Sequence, residues 1–219
     1  MLVSGIKSII IFLYDITKAI GFPNYALAII LMTILLRLAL YPLTLKQMKS
    51  MKNMQLVQPK IQQLQKKYKN NKEKLNQELM KLYQQYDINP AAGCLPLLIQ
   101  MPILIGLFTV LRDFTFEPVE HAKFFWVANL SNPDPYYILP ILVGIATYVQ
   151  SKLSLAKATT ASNNSMNLMM LYFMPIFIAY ISIQFPAGLS LYWVVFNILG
   201  VVQQIIINRQ PLTEEVERK

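Results

Sequence analysis

The sequence predicts an all-α membrane protein: five transmembrane helices, a cytoplasmic helical hairpin and an N-terminal interfacial amphipathic helix. Three observations carry that prediction. Of 219 residues, 55% are hydrophobic and only 14% charged, against about 25% charge in a soluble domain, so the apolar excess must face something other than water. Five apolar stretches approach the ~20 residues that cross a bilayer at roughly 1.5 Å rise each. The polar segments between them alternate in the sign of their charge.

Residues 1–21 fall short of a full span. Ile6, Ile9, Ile10, Leu13 and Ile20 lie on one helical stripe, and Ser4, Ser8, Asp15 and Lys18 on the opposite one, the pattern of a helix lying in the membrane interface. A signal peptide is the rival reading, but Asp15 cuts its apolar run and no small-residue cleavage site follows. A single five-helix domain then occupies 22–210, with spans at about 23–45, 94–111, 136–153, 166–185 and 189–207, and 211–219 is a cytoplasmic tail. Between the first two spans the chain is polar but helical in period: Ile61, Leu64 and Tyr68, then Leu75, Leu79, Leu82 and Tyr86. Asn70-Asn71 supplies a turn, and Pro59 suits the first turn of a new helix. These features predict an antiparallel hairpin over about 58–87.

The loop charges orient the spans. Ten lysines face three acids, Glu73, Glu78 and Asp87, between Lys46 and Asn89. Four acids, Asp113, Glu117, Glu120 and Asp134, face Lys123 alone between Asp113 and Pro135. Lys152 and Lys157 follow the third span with no acid. Lys and Arg collect on the cytoplasmic side, so the N-terminus is expected outside and the C-terminus in the cytoplasm. Phe124-Phe125-Trp126 and Tyr136-Tyr137 suit an outer aromatic belt. The net charge of +9 is thereby assigned to the membrane surface, with no specific nucleic acid expected. A lone Cys94 rules out an intrachain disulfide, and one Cys with one His, His121, excludes a dedicated zinc site.

Arg37 is the sharpest functional signal. It lies about eight residues, roughly 12 Å, from the inner end of the first span. An arginine near mid-membrane costs at least about 2.5 kcal/mol and normally faces a bundle interior or wet cavity. Snorkelling is the alternative, but Leu38, Ala39, Leu40, Leu43 and Leu45 continue the apolar run beyond it. No acid occurs inside any predicted span, so Arg37 is expected to offer its charge to an external anion. Thr33 shares its helix face. Gln100 interrupts the second span, Thr147, Gln150 and Ser151 share a face of the third, and Tyr192, Trp193, Asn197, Gln203 and Gln204 lie in the fifth. Each reads either as interhelical glue or as groove lining around Arg37, Asn197 more readily as the former. Pro96, Pro102 and Pro175 bend helices and could enclose a cavity, or mark ordinary packing kinks.

Several stretches together are specific: Thr33 to Arg37 with Tyr41-Pro42; Asn89-Pro-Ala-Ala-Gly-Cys-Leu-Pro96; Gln100-Met-Pro102; Met174-Pro175; and Phe185-Pro-Ala-Gly-Leu-Ser-Leu-Tyr-Trp193 with Asn197 and Gln203-Gln204. Over about residues 5–210 the chain resembles the YidC family of membrane protein insertases, in the shorter Gram-positive form. The resemblance implies a five-helix core whose groove opens to cytoplasm and lipid, with Arg37 attracting acidic residues of a client and Thr33 and Trp193 lining the groove. It implies newly made membrane proteins as clients, chaperone activity, and a role for the hairpin in recruiting clients. Many Gram-positive relatives carry a lipid-modified cysteine after a signal peptide. No cysteine precedes Cys94 here, which leaves an unanchored chain or a preceding leader as the alternatives.

Anionic lipid is an expected partner of the lysine-rich hairpin. The Sec translocon and the ribosome stay open, although the short mixed-charge tail argues against a tail-based ribosome tether. No cofactor is expected, and no Walker-type glycine loop is present. An enzyme lacks a catalytic set: Ser190 has no His in a span, and no carboxylates are paired. The alternative function is a small-anion transporter with Arg37 as ligand, but the intramembrane acids and internal repeats such carriers use are missing.

Overall fold

The computed structural model describes residues 2–86, 88, 95–155 and 168–209. Cys94, most of the Asn89–Pro96 run, the loop holding Lys157 and the tail lie outside the described residues. Within them the chain is helical: α1 (Leu2–Ala19), α2 (Tyr25–Ala39), α3 (Tyr41–Lys67), α4 (Lys72–Gln85), α5 (Leu95–Asp113), α6 (Ile138–Leu155), α7 (Met174–Ser182, preceded by a π-turn at Met169–Phe173) and α8 (Ala187–Arg209).

Helix α1 packs on α2 and α5. Its apolar residues form two stripes where the sequence predicted one. Ile6, Ile10, Leu13 and Tyr14 are buried together with Thr17, whereas Ile9 and Ile20 stay exposed beside Phe12 and Ile16. The helix therefore has a packed face, a polar face and a free apolar face. Gly21, at φ +86°, closes it, with the Phe22 amide bonded to the Thr17 carbonyl. Asn24 then caps α2, its side-chain oxygen accepting from the Leu27 amide at 3.1 Å.

The predicted first span is broken. Helix α2 ends at Ala39 with Leu40 as its cap, and Pro42 stands in the first turn of α3, where its missing N–H costs nothing. The axis bends there by 60° between Tyr25–Ala39 and Tyr41–Ser50. Pro59 is a correction to the sequence reading: it sits inside α3, which runs unbroken to Lys67. A proline in mid-helix removes one backbone bond, and here Val57 and Ile61 on either side are anchored against Leu82, Tyr86 and Ile88. The hairpin turn falls where expected, with the Asn71 side chain capping α4 through the Lys74 amide.

Among the described residues α8 alone is long and apolar enough to cross a bilayer unaided, and Ile138–Ser154 and Met169–Ser182 are shorter apolar helices. Helices α2, α6 and α8 run parallel: Ile29 and Arg37 of α2 lie against Gly188 and Gly200 of α8, and Thr147 and Gln150 of α6 lie against Asn197 and Gly200. Helix α7 and the turn before it run antiparallel to α6, with Pro175 and Ala179 at Gly144 and Tyr172 beside Tyr148. The main core gathers Ile10, Ile29, Leu107, Leu111, Leu130 and Leu189 at the end of the bundle that carries α1. There Tyr14 stacks on Tyr25 at 3.9 Å between ring centres, and Tyr25 meets Phe114 and Phe116 edge-on or tilted. The loop from α5 to α6 folds over this end. Its Leu130 and Asn132 carbonyls accept from the first amides of α8, Gly188 and Ala187, at 2.9 and 2.7 Å, which satisfies donors that a helix start leaves orphaned.

Candidate functional site

Arg37 lies in the last turn of α2, at the end from which the hairpin leaves. It is 5% exposed, and no carboxylate stands among its partners. Its Nε and Nη2 both donate to the main-chain oxygen of Phe196, at 3.2 and 2.7 Å. Its Nη1 donates to Gln203 Oε1 at 3.1 Å. The guanidinium carbon stands 3.6 Å from the centre of the Phe196 ring, a cation–π contact. Of the five N–H groups a guanidinium carries, these bonds use three.

The sequence reading expected a cation without a partner of opposite charge in its own chain, and among the described residues its partners are neutral dipoles. Carbonyl and amide oxygens offset part of the desolvation of a buried charge without neutralising it. No partner among the described residues cancels the positive charge, while the guanidinium is held by three bonds and a ring.

The other predicted residues divide into separate contacts. Gln100 Nε2 donates to the Tyr192 hydroxyl at 2.8 Å, joining α5 to α8. Asn197 Nδ2 donates to Thr147 Oγ1 at 3.1 Å, joining α6 to α8, which is the interhelical role the sequence favoured for it. Thr33 is fully buried and its hydroxyl bonds its own helix at the Ile29 carbonyl, 2.7 Å away. Trp193 is half-buried and lies on the same stripe of α8 as Phe196, Asn197 and Gly200. Gln150 of α6 and Arg37 of α2 meet at one position of α8. Both side chains border the space at Gly200, where an added Cβ would meet Arg37 Nη2 and lie 2.6 Å from Gln150 Nε2. Gln150 Oε1 is buried with no partner among the described residues.

Of the three α8 residues at the site, Phe196, Gly200 and Gln203, sequence reasoning named only Gln203, as a polar companion able to line a groove around Arg37, and did not single out the other two. The spacing of four and three puts all three on one helical stripe, the one signal that could have found Phe196 and Gly200. A main-chain oxygen and a missing side chain carry no signature of their own in a sequence.

The bundle defines a class first. The fold is that of a crystal structure described as an active YidC insertase with its first transmembrane domain resolved, matched at a TM-score of 0.70 and 30% identity over 95% of this chain and 46% of that one. The profile of the 60Kd inner membrane protein family matches residues 15–214. Among curated relatives, the membrane protein insertase YidC 2 of Listeria innocua is 49% identical over 84% of this chain and 64% of its own length. The membrane protein insertase MisCA of Bacillus subtilis is 46% identical over 89% of this chain and 74% of its own. The YidC insertase of Caldanaerobacter subterraneus is 45% identical over 87% and 88%. The chain belongs to this family of inner membrane proteins, the YidC membrane protein insertases.

Proposed function

We propose that this chain inserts client proteins into a bacterial cell membrane and chaperones their folding, without nucleotide hydrolysis and through a polar groove centred on Arg37. The observation that carries the mechanism is a buried arginine held by neutral acceptors, at the end of the bundle opposite its aromatic core. A client's polar segment approaches from that end. Its carboxylate takes up the charge that Phe196 and Gln203 leave unneutralised. At an effective dielectric of about 20, such a pair at about 4 Å gains roughly 4 kcal/mol before desolvation is subtracted. The client's apolar helix then enters lipid, a transfer worth about 25 cal/mol per Å² of buried apolar surface, which supplies the drive.

Five spans with the N-terminus outside and the C-terminus in the cytoplasm fit this reading. The parallel run of α2, α6 and α8, with α7 antiparallel, agrees with alternate crossings, and the lysine-rich hairpin agrees with a cytoplasmic position. Lys60, Lys66, Lys67, Lys69, Lys72, Lys74 and Lys81 are exposed on that hairpin, which supports contact with anionic headgroups, each worth about 1 kcal/mol near the surface.

The test is reconstitution in liposomes with a single-span client bearing an acidic N-terminal tail. Insertion should fall with Arg37→Ala and largely survive Arg37→Lys, which keeps the charge. Full activity of the alanine variant would refute the groove-charge mechanism, and anion flux without client insertion would replace it with a carrier.

A further inference from the structure

Helix α8 presents Phe196, Gly200 and Gln203 on one stripe. The first gives Arg37 its carbonyl oxygen and its ring, and the third gives its side-chain oxygen. The middle position gives nothing but room. A Cβ built at Gly200 would collide with Arg37 Nη2, and would also lie 2.6 Å from Gln150 Nε2 and 2.9 Å from Gln150 Cδ. Two side chains from different helices, Arg37 of α2 and Gln150 of α6, therefore converge on the volume that a side chain here would fill. The direction of that volume matters. A helical Cβ leans toward the N-terminus, over the turn that precedes it, and the carbonyl four residues before Gly200 is that of Phe196. The missing Cβ thus uncovers the oxygen that receives two of the Arg37 bonds.

Gln150 adds a second observation. Its Oε1 is buried without a partner among the described residues, while its Nε2 borders the notch together with the guanidinium, donor beside donor. A half-turn of the amide exchanges oxygen for nitrogen and turns the unused acceptor toward the cation.

We propose that Gly200 is a positioning residue: a notch that seats the Arg37 guanidinium between the Phe196 carbonyl and the Gln150 amide, and so sets the preference for clients with acidic translocated segments. The idea rests on the insertase reading above and adds the device that holds its charge in place. A side chain at 200 displaces the guanidinium from the carbonyl. The charge persists, but it is no longer fixed where the client's carboxylate meets it.

The full chain is reconstituted in liposomes with two single-span clients identical except for an acidic or an amide-substituted tail, and the ratio of their insertion is read. Gly200→Ala is expected to lower the acidic-to-amide ratio about fivefold, the equivalent of roughly 1 kcal/mol. Adding Gln150→Ala to it, which empties one wall of the notch, is expected to bring back at least about half of the lost ratio on the same scale. An unchanged ratio in Gly200→Ala, or a double variant no better than the single one, overturns the proposal. Melting temperature in detergent gives an arm that does not need activity. Alanine is the better helix former, so an open site would gain stability, and a notch already occupied would lose it. A rise in melting temperature therefore also counts against the proposal. Arg37→Ala separates the two levels: if it leaves the ratio intact, the groove-charge reading fails and the notch with it. If it abolishes the preference while Gly200→Ala does not, the notch alone fails.

Discussion

Two glycines on one helix mark the two ends of this bundle, and they serve opposite chemistries. At Gly188 an added Cβ would lie 3.2 Å from Ile29 Cδ1 and 3.3 Å from Leu111 Cδ1 and the Leu130 carbonyl. About three turns further on, at Gly200, the groups that crowd in are a guanidinium and an amide. The first glycine lets apolar side chains of α2 and α5 close upon α8, so the α1 end is sealed by methyl groups and stacked rings. The second lets a charge enter a helix interface that apolar packing could not have accommodated. The same device, a missing side chain, maximises dispersion contacts at one end and admits a polar site at the other.

That contrast can be broken deliberately. The largest effect on stability is expected from Gly188→Leu, which overpacks the sealed end and should cost about 3 kcal/mol. Thermal unfolding in detergent measures it, and the preference for acidic clients among the molecules that do fold should be unaltered, since Arg37 lies at the other end. A smaller effect is expected at the loop that covers the α1 end. Asp134 is buried and accepts from the Trp126 indole at 2.9 Å and from the amides of Tyr136 and Leu139 at 3.0 and 2.7 Å. Asp134→Ala leaves these donors unmet and should cost about 2 kcal/mol, again read by thermal unfolding, with insertion of an acidic client preserved in the folded fraction.

The smallest effect lies outside the bundle, on α4. Glu78 and Lys81 form a 2.8 Å pair on an exposed face. The hydrogen bond from Lys81 holds the Glu78 carboxyl below the usual glutamate range. A carboxylate lowered in this way stabilises the fold above its ordinary pKa, and the contribution is lost as pH falls through the lowered value. Glu78→Gln should therefore separate slightly from the wild type in melting temperature near neutral pH and converge with it in acid. A gap that widens on acidification would contradict the pairing.

Much of this architecture was readable in the residues, for reasons that differ by element. The apolar runs announce their helices because burial in lipid demands length and continuity. Asn71 announces the hairpin turn because an asparagine side chain caps a helix start. Three departures have physical causes. Pro42 stands in the first turn of a new helix, so the first span, read as one run over about 23–45, bends by 60° after Leu40. Periodicity could not tell which apolar side of α1 meets the bundle and which stays free, so one predicted stripe became two. Pro59 carries a local preference for a first turn, and the contacts of Val57 and Ile61 with α4 overrode it. The site was half legible. Arg37 stood out because a charge in an apolar run is costly, and Gln150 because an amide there is unusual. Its seat did not stand out, because Phe196 contributes a carbonyl that every residue has and Gly200 contributes an absence. Gln203, part of a polar pair at the end of α8, was legible as a polar residue able to line a groove around Arg37, though not as its direct acceptor.

The most direct measurement of the central claim is the coupling between Arg37 and a client carboxylate. A double-mutant cycle pairs the wild type and Arg37→Ala with the acidic and amide-substituted clients, and insertion is quantified in all four combinations. A charge that acts on the client's own carboxylate predicts a coupling of at least about 1.4 kcal/mol, a tenfold loss confined to the acidic client. Equal losses for both clients, and so no coupling, would show that Arg37 serves the packing of the bundle rather than the client, and would contradict the account.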